Sequence, residues 1–266
     1  MDSNDLNRLL DVLIALPKET EWVEFKSNFH SETEIGERLS ALSNSACLLD
    51  KSFGYLVFGV EDGTHKVLGT NFHAKFAKKG NEELEHWLLN RLNPKVDYEI
   101  FEFDRSDNKH VSLFRIPAAT SRPVSFFNVP YIRVGSITQR LQNYPDKEAK
   151  IWKKAANKNL AGLVVKEMLT PQEIVSLLSV ETYFNLMKIP FPKTQEGIIE
   201  RFEHEHFIKK EDLGWSITQL GAILLAKDLR DFGVLSRKGI RVIVYKGKNK
   251  IETIREQAFV SGYAVC

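Results

Sequence analysis

The feature that most narrows the fold is a pair of short extended segments, Trp22-Val23-Glu24-Phe25-Lys26 and Tyr55-Leu56-Val57-Phe58-Gly59-Val60. Successive side chains of an extended chain point to opposite faces. Val23 and Phe25 therefore turn inward, while Glu24 and Lys26 share the other face, roughly 6–7 Å apart along the strand. The second segment is apolar and leads into Asp62-Gly63, and Glu19 and Glu21 stand just upstream of the first. If the two strands pair, the carboxylates of Glu19, Glu24 and Asp62 converge with the Lys26 ammonium on one side of a sheet. Those groups suit a divalent-metal phosphodiesterase, with oxygen ligands for an ion and an ammonium near a scissile phosphate. The same residues also read as solvated turn glutamates, a Glu24–Lys26 pair and an ordinary Asp-Gly turn. Residue chemistry alone leaves both readings open.

Longer blocks carry a resemblance. ETEWVEFK (19–26), IGERLSALSNSA (35–46) and GYLVFGVEDGTHKVLG (54–69) are followed by Arg122-Pro123 and PYIRVGSIT (130–138). Together, over about residues 10–145, they resemble the Schlafen/AlbA-like domain. That domain occurs in bacterial proteins labelled DNA-binding, ATP-binding or transcriptional regulators, and in the core of animal Schlafen proteins. The resemblance implies an α/β nucleic-acid-binding domain. In its nuclease-active members, two glutamates five apart, the second opening EFK, and a later aspartate form the acidic site. Carried over, these positions are Glu19, Glu24 and Asp62, with Lys26 as the nearby basic residue and Mg²⁺ or Mn²⁺ as the ion. One departure from the family stands out, and one difference from the common nuclease motif. Many bacterial relatives carry ANTxGG where this chain has Ser43-Asn44-Ser45-Ala46-Cys47. The aspartate also follows the ExK element, whereas the common nuclease motif places it before.

A chain of 266 residues is long enough for a substantial core and two domains. Its net charge of +2 neither requires nor excludes nucleic acid, so only the local distribution of charge is informative. The two cysteines, Cys47 and Cys266, lie far apart without a CxxC pattern, which argues against a structural zinc site or disulfide framework and fits a reducing cytoplasm. The N-terminus lacks a basic-then-apolar signal, and no apolar run reaches the length of a membrane span.

Helical spacing is present over residues 4–16, 34–49 and 82–92, and Pro17 ends the first run. Strands are expected at 22–26, 54–60, 96–103, 110–116 and 130–134, with a hairpin turn at 104–109. From Pro145, a helix over about 146–158 carries Lys147, Lys150, Lys153, Lys154 and Lys158 close to one face, with Ile151 and Trp152 elsewhere around it. Such a stripe is either a solvated surface or a track for a phosphate backbone. Arg122, Arg133, Arg140 and the Lys75, Lys78, Lys79 cluster would extend the track. Phe126, Phe127 and Tyr131 offer rings for base stacking, although buried strand aromatics are the commoner arrangement.

A second module follows. Thr170-Pro-Gln-Glu173 reads as a capping box. Helical patterns at 180–187 and 195–203, short strands at 207–209 and 215–217 and a helix at 218–226 suggest a winged helix. Glu196, Glu200, Glu203 and Glu205 would lie where such a module reads DNA, which argues for a packing or oligomerisation role instead. The segment WSITQLGAILLAKDL (215–229) resembles the stretch that follows the Schlafen/AlbA-like domain in bacterial regulators. The family commonly continues beyond the last residue here, so the chain reads as a short member or as a piece of a longer one. The phosphate-cradling GxxxxGK[ST] loop is missing, so an ATP site has no support. His204-Glu205-His206 lacks a nearby third ligand, and no nucleophile motif occurs.

The expectation is an α+β (mixed α/β) protein with a Schlafen/AlbA-like domain at 1–145, a basic helical connector at 146–160 and a winged-helix-like domain at 161–266. Its expected function is metal-dependent endonucleolytic cleavage of structured RNA such as tRNA, with a non-catalytic DNA-binding regulator as the alternative. Its partners are RNA or DNA and a second copy in a homodimer, and it is cytoplasmic without membrane attachment.

Overall fold

The N-terminal pattern forms α1 (Ser3–Ala15), which buries Leu6, Leu9, Leu10 and Leu13 along one stripe. The structure, a computed structural model, describes residues 3–16, 20–105, 107–156, 162–211, 214–246 and 252–266. From α1 the chain enters β1 (Val23–Lys26), crosses over through α2 (Glu32–Leu48) and returns as β2 (Phe53–Phe58). β1 and β2 are parallel, with Glu24 opposite Leu56 and Lys26 opposite Phe58. Parallel neighbours need such a crossover. The two-residue strands β3 (Lys78–Lys79) and β4 (Glu82–Glu83) precede α3 (Leu84–Leu89) and β5 (Leu92–Asn93), so the helix expected over 82–92 is shorter than its pattern. β6 (Glu99–Asp104) and β7 (His110–Pro117) pair antiparallel and complete a sheet of order β1-β2-β7-β6. β8 (Ser125–Phe126), β9 (Val129–Val134) and β10 (Ile137–Arg140) join β5 in a second sheet of order β10-β9-β8-β5, and α4 (Pro145–Ala156) follows.

The central element is α2. Ile35, Leu39, Leu42 and Ala46 are buried as their spacing predicts, but so are Ser40, Ser43, Asn44 and Ser45. The helix packs against β2 and also against β9, so its second half is enclosed and has no solvent side. Buried polar groups need partners, and here they pin the backbone of the neighbouring segment. Asn44 donates to the carbonyls of Val124 and Tyr131, both at 2.8 Å, and accepts from Val124 N–H at 2.8 Å. Ser40 donates to Val124 O at 2.7 Å and accepts from Tyr131 N–H at 3.0 Å. Ser43 donates to Pro117 O at 2.7 Å. Gly36 makes room for the same contact, since a Cβ there would stand 2.2 Å from the Phe126 ring.

The lysine-rich helix is α4, and the expectation for it needs one correction. Ile151 is fully buried, and helical spacing puts it between Lys147 and Lys154 on one face rather than elsewhere around the helix. Those lysines therefore flank the packed face: Lys154 Nζ reaches Asp50 and the Leu48 carbonyl, both at 2.6 Å. This helix falls inside the first of two compact units, Met1–Lys158 and Asn159–Cys266, and it packs on α2. Lys158 itself lies outside the described residues.

The second unit begins with β11 (Val164–Leu169) and the helices α5 (Pro171–Leu177), α6 (Val180–Met187) and α7 (Gln195–His204). β12 (Ile208–Glu211), β13 (Gly214–Thr218) and α8 (Gln219–Leu225) follow, then β14 (Arg241–Tyr245) and β15 (Thr253–Ala258). Thr170 and Glu173 close the capping box, and β11-β13-β12 form an antiparallel sheet. Ile174, Phe184, Ile199, Phe202, Ile217 and Leu225 belong to this unit's core. Along α7, Ile198, Ile199 and Phe202 turn inward while Glu196, Glu200 and Glu203 are exposed. The fold is α+β. Among the described residues, no helix is long and apolar enough to cross a membrane.

Candidate functional site

Strand alternation places Glu24 and Lys26 on one face of β1, as the sequence predicts, but Glu24 is buried rather than presented, with only 5% exposure. A buried carboxylate is costly unless it is paired and hydrogen-bonded. Glu24 is held by three cations. Arg38 Nε donates to Oε1 at 2.9 Å, Lys26 Nζ stands 3.1 Å from the same oxygen, and Arg133 NH1 donates to Oε2. Arg38 is aimed from α2, whose N-terminus is capped by Ser31 Oγ, and it also pairs with Glu34 at 2.7 Å. Arg133 comes from β9, where its N–H donates to Ser45 Oγ at 3.0 Å.

Asp62 arrives on the turn after β2. Gly63, at φ +84°, takes the left-handed backbone of that turn. The Asp62 carboxylate is 67% exposed and lies 3.7 Å from Lys26 Nζ. The ammonium thus stands between the two carboxylates. They open on a cleft of about 290 Å³ lined by Thr20, Val23, Glu24, Phe25, Asp62, Gly63, His65, Arg133 and Ser136. Glu21 accepts from Gly135 N–H at 3.0 Å and pairs with Lys147 at 3.4 Å. Glu19 lies outside the described residues.

Residues 19–142 match the family model described as Schlafen, AlbA_2. The chain carries a Schlafen AlbA_2 domain. This family points to a nucleic-acid-related function. A search of curated proteins finds no match. Among solved structures, the DIP2311 protein from Corynebacterium diphtheriae aligns with 98% of this chain and 45% of its own at 15% identity and a TM-score of 0.36. The chain therefore spans under half the length of that protein.

The Schlafen AlbA_2 domain distributes its expected basic residues unevenly. Lys75, Lys78, Arg122, Arg140 and Lys150 are exposed, and Arg122 also donates to Asn93 Oδ1 at 2.7 Å. Lys79 pairs with Glu32 at 2.7 Å and holds that carboxyl below the usual carboxylate range. Lys147 and Lys154 are tied to Glu21 and Asp50. Arg133 is not part of any surface track, because it is 4% exposed and committed to Glu24. Of the aromatic residues, Phe126 is buried and Tyr131 donates to Glu37 Oε1 at 2.9 Å. Burial, reinforced by Glu37, pushes the Tyr131 phenol up. Phe127 is 54% exposed, since it occupies the first corner of the β8–β9 turn at φ 48°.

The sequence reading missed a further group. His73, Glu102 and His110 bring one ligand atom each to within 4.8 Å of one another. Part of the signal was legible, because Glu102 with Asp104 and His110 with Ser112 alternate along two strands of a hairpin. His73 comes from the long connection before α3, which no periodicity ties to that face.

Proposed function

We propose that this chain binds nucleic acid and that the Glu24–Lys26–Asp62 cleft cleaves structured RNA such as tRNA. The observation that carries the reading is the convergence of two carboxylates on one ammonium, at 3.1 and 3.7 Å, with Glu24 and Asp62 both lining a cleft open to a ligand. Mg²⁺ or Mn²⁺ is the proposed cofactor, held by Asp62 and Glu24 together with Glu19. The residues fit it in part. Asp62 is exposed, whereas Glu24 has three of its roughly four lone-pair directions taken by Arg38, Lys26 and Arg133. Such an ion would compete with the Lys26 ammonium for the two carboxylates. When bound, it would polarise a phosphoryl oxygen and activate water. Lys26, displaced toward the cleft, would stabilise charge developing on the phosphate. Arg38 and Arg133 hold the Glu24 carboxylate in its orientation.

A non-catalytic DNA-binding regulator is the second reading, and the engagement of Glu24 favours it. In either case the exposed cations Lys75, Lys78, Arg122, Arg140 and Lys150 supply backbone attraction that weakens steeply with salt. The outward glutamates of α7 make the second unit a poor surface for DNA and suit it to support or self-association.

The test uses Asp62→Asn, because removing Glu24 would leave buried Arg133 without its counter-charge. Purified protein is incubated with total tRNA and a DNA duplex in Mn²⁺ or EDTA. The expected result is Mn²⁺-dependent tRNA cleavage, reduced about 100-fold by Asp62→Asn, with tRNA binding retained. Salt-sensitive duplex binding without cleavage under any metal condition establishes the second reading instead.

A further inference from the structure

The far edge of the main sheet holds a second cluster that the nuclease reading leaves unused. The register aligns Lys26 with Phe58, Phe58 with Ser112 and Ser112 with Glu102, so Lys26 and Glu102 share a rung and a face of the sheet. They sit on the two outer strands, three strand spacings or about 14 Å apart. The two clusters are therefore separate sites.

At this edge the hairpin pairs Asp104 with His110 and Glu102 with Ser112. His110 Nδ1 lies 2.9 Å from Asp104 Oδ1. A carboxylate only accepts, so Nδ1 carries the proton, and in the neutral ring this tautomer leaves the lone pair on Nε2. Nε2 is buried and has no hydrogen-bond partner among the described residues. It points toward Glu102, whose Oε1 is 4.0 Å away. Glu102 is itself held in place: Ser112 Oγ and the Lys75 N–H both donate to its Oε1, at 3.1 and 3.3 Å. His73, exposed and with its ring centroid 4.3 Å from that of His110, completes the group.

We propose that His73 and His110, with Glu102, bind one divalent transition-metal ion of the zinc class, with Asp104 positioning His110. Two imidazoles and a carboxylate suit Zn²⁺ and exclude the hard, all-oxygen preference of Mg²⁺. A ligating histidine that donates its other ring N–H to a carboxylate is the usual outer arrangement of such sites, and it fixes the tautomer that ligation needs. Donor atoms around a tetrahedral Zn²⁺ lie about 3.3 Å apart, so the ion would draw this set, now within 4.8 Å of one another, closer together by up to about 1.5 Å. Three protein ligands leave the fourth position to water.

The test titrates chelator-stripped full-length protein with Zn²⁺ against a competing chromophoric chelator, and repeats it with Co²⁺ to read ligand-field bands in the visible. The expected result is one Zn²⁺ per chain, weakened about 10- to 100-fold by His73→Ala and by Asp104→Asn, with Co²⁺ bands that His73→Ala abolishes. His73 is exposed, so its alanine variant keeps the fold, and circular dichroism checks this. Failure to bind Zn²⁺ stoichiometrically overturns the proposal, and so does zinc affinity equal in wild type and both variants. Neither outcome bears on tRNA cleavage at the other edge of the sheet.

Discussion

Glu24 shows how one residue's surroundings decide its chemistry. In the sequence it is an acid on the charged side of a strand, and strand alternation correctly brings it beside Lys26. Its burial and its two arginine partners were not legible, because Arg38 and Arg133 come from a helix and a strand of another sheet. Breaking a buried ion pair strands the remaining charge, which costs about 3–5 kcal/mol. Glu24→Ala is therefore expected to lower unfolding free energy by about that much in urea titration, whereas Asp62→Asn, at an exposed turn, stays within about 0.5 kcal/mol. Equal stability of the two variants would show that Arg133 finds another partner. A loss of activity in Glu24→Ala alone consequently says little about metal binding, and the exposed aspartate is the informative position.

At the scale of the element, α2 carries the domain. Its apolar spacing is readable, and Ile35, Leu39, Leu42 and Ala46 are all buried. The same sequence also contains Ser40, Ser43, Asn44 and Ser45, which an amphipathic reading assigns to solvent. They are inside because the helix is packed on two sides, and their side chains substitute for strand partners along residues 117–133. Asn44→Ala removes the partners of Val124 N–H, Val124 O and Tyr131 O together. Two of these groups keep no side-chain partner, and with each unpaired buried group costing about 1–3 kcal/mol, a loss of about 2 kcal/mol or more is expected, read by thermal and urea unfolding. Ser40 still donates to Val124 O, so the N–H of Val124 is the group left worst served. Hydrogen exchange at that amide should accelerate most, and unchanged protection there would contradict the pinning role of Asn44.

For the whole molecule, two compact units divide near residue 158, and the second has a hydrophobic core of its own. Residues 1–158 expressed alone are expected to unfold cooperatively on heating, monitored by circular dichroism. A chain that melts without a transition would show that the first unit depends on the second. What the sequence by itself determined was local or periodic: the strands near 22–26, 54–60, 110–116 and 130–134, the helices with apolar stripes, the Schlafen AlbA_2 blocks and the placing of Glu24 and Lys26 on one face of a strand. These follow from side-chain alternation and spacing within a few residues. Only the tertiary structure decided that Arg133 serves Glu24 rather than a phosphate track, that Ile151 turns the lysine helix inward and that His73 joins Glu102 and His110. Each of those depends on groups far apart in the chain meeting in space, where burial and pairing, rather than spacing, set what a side chain does.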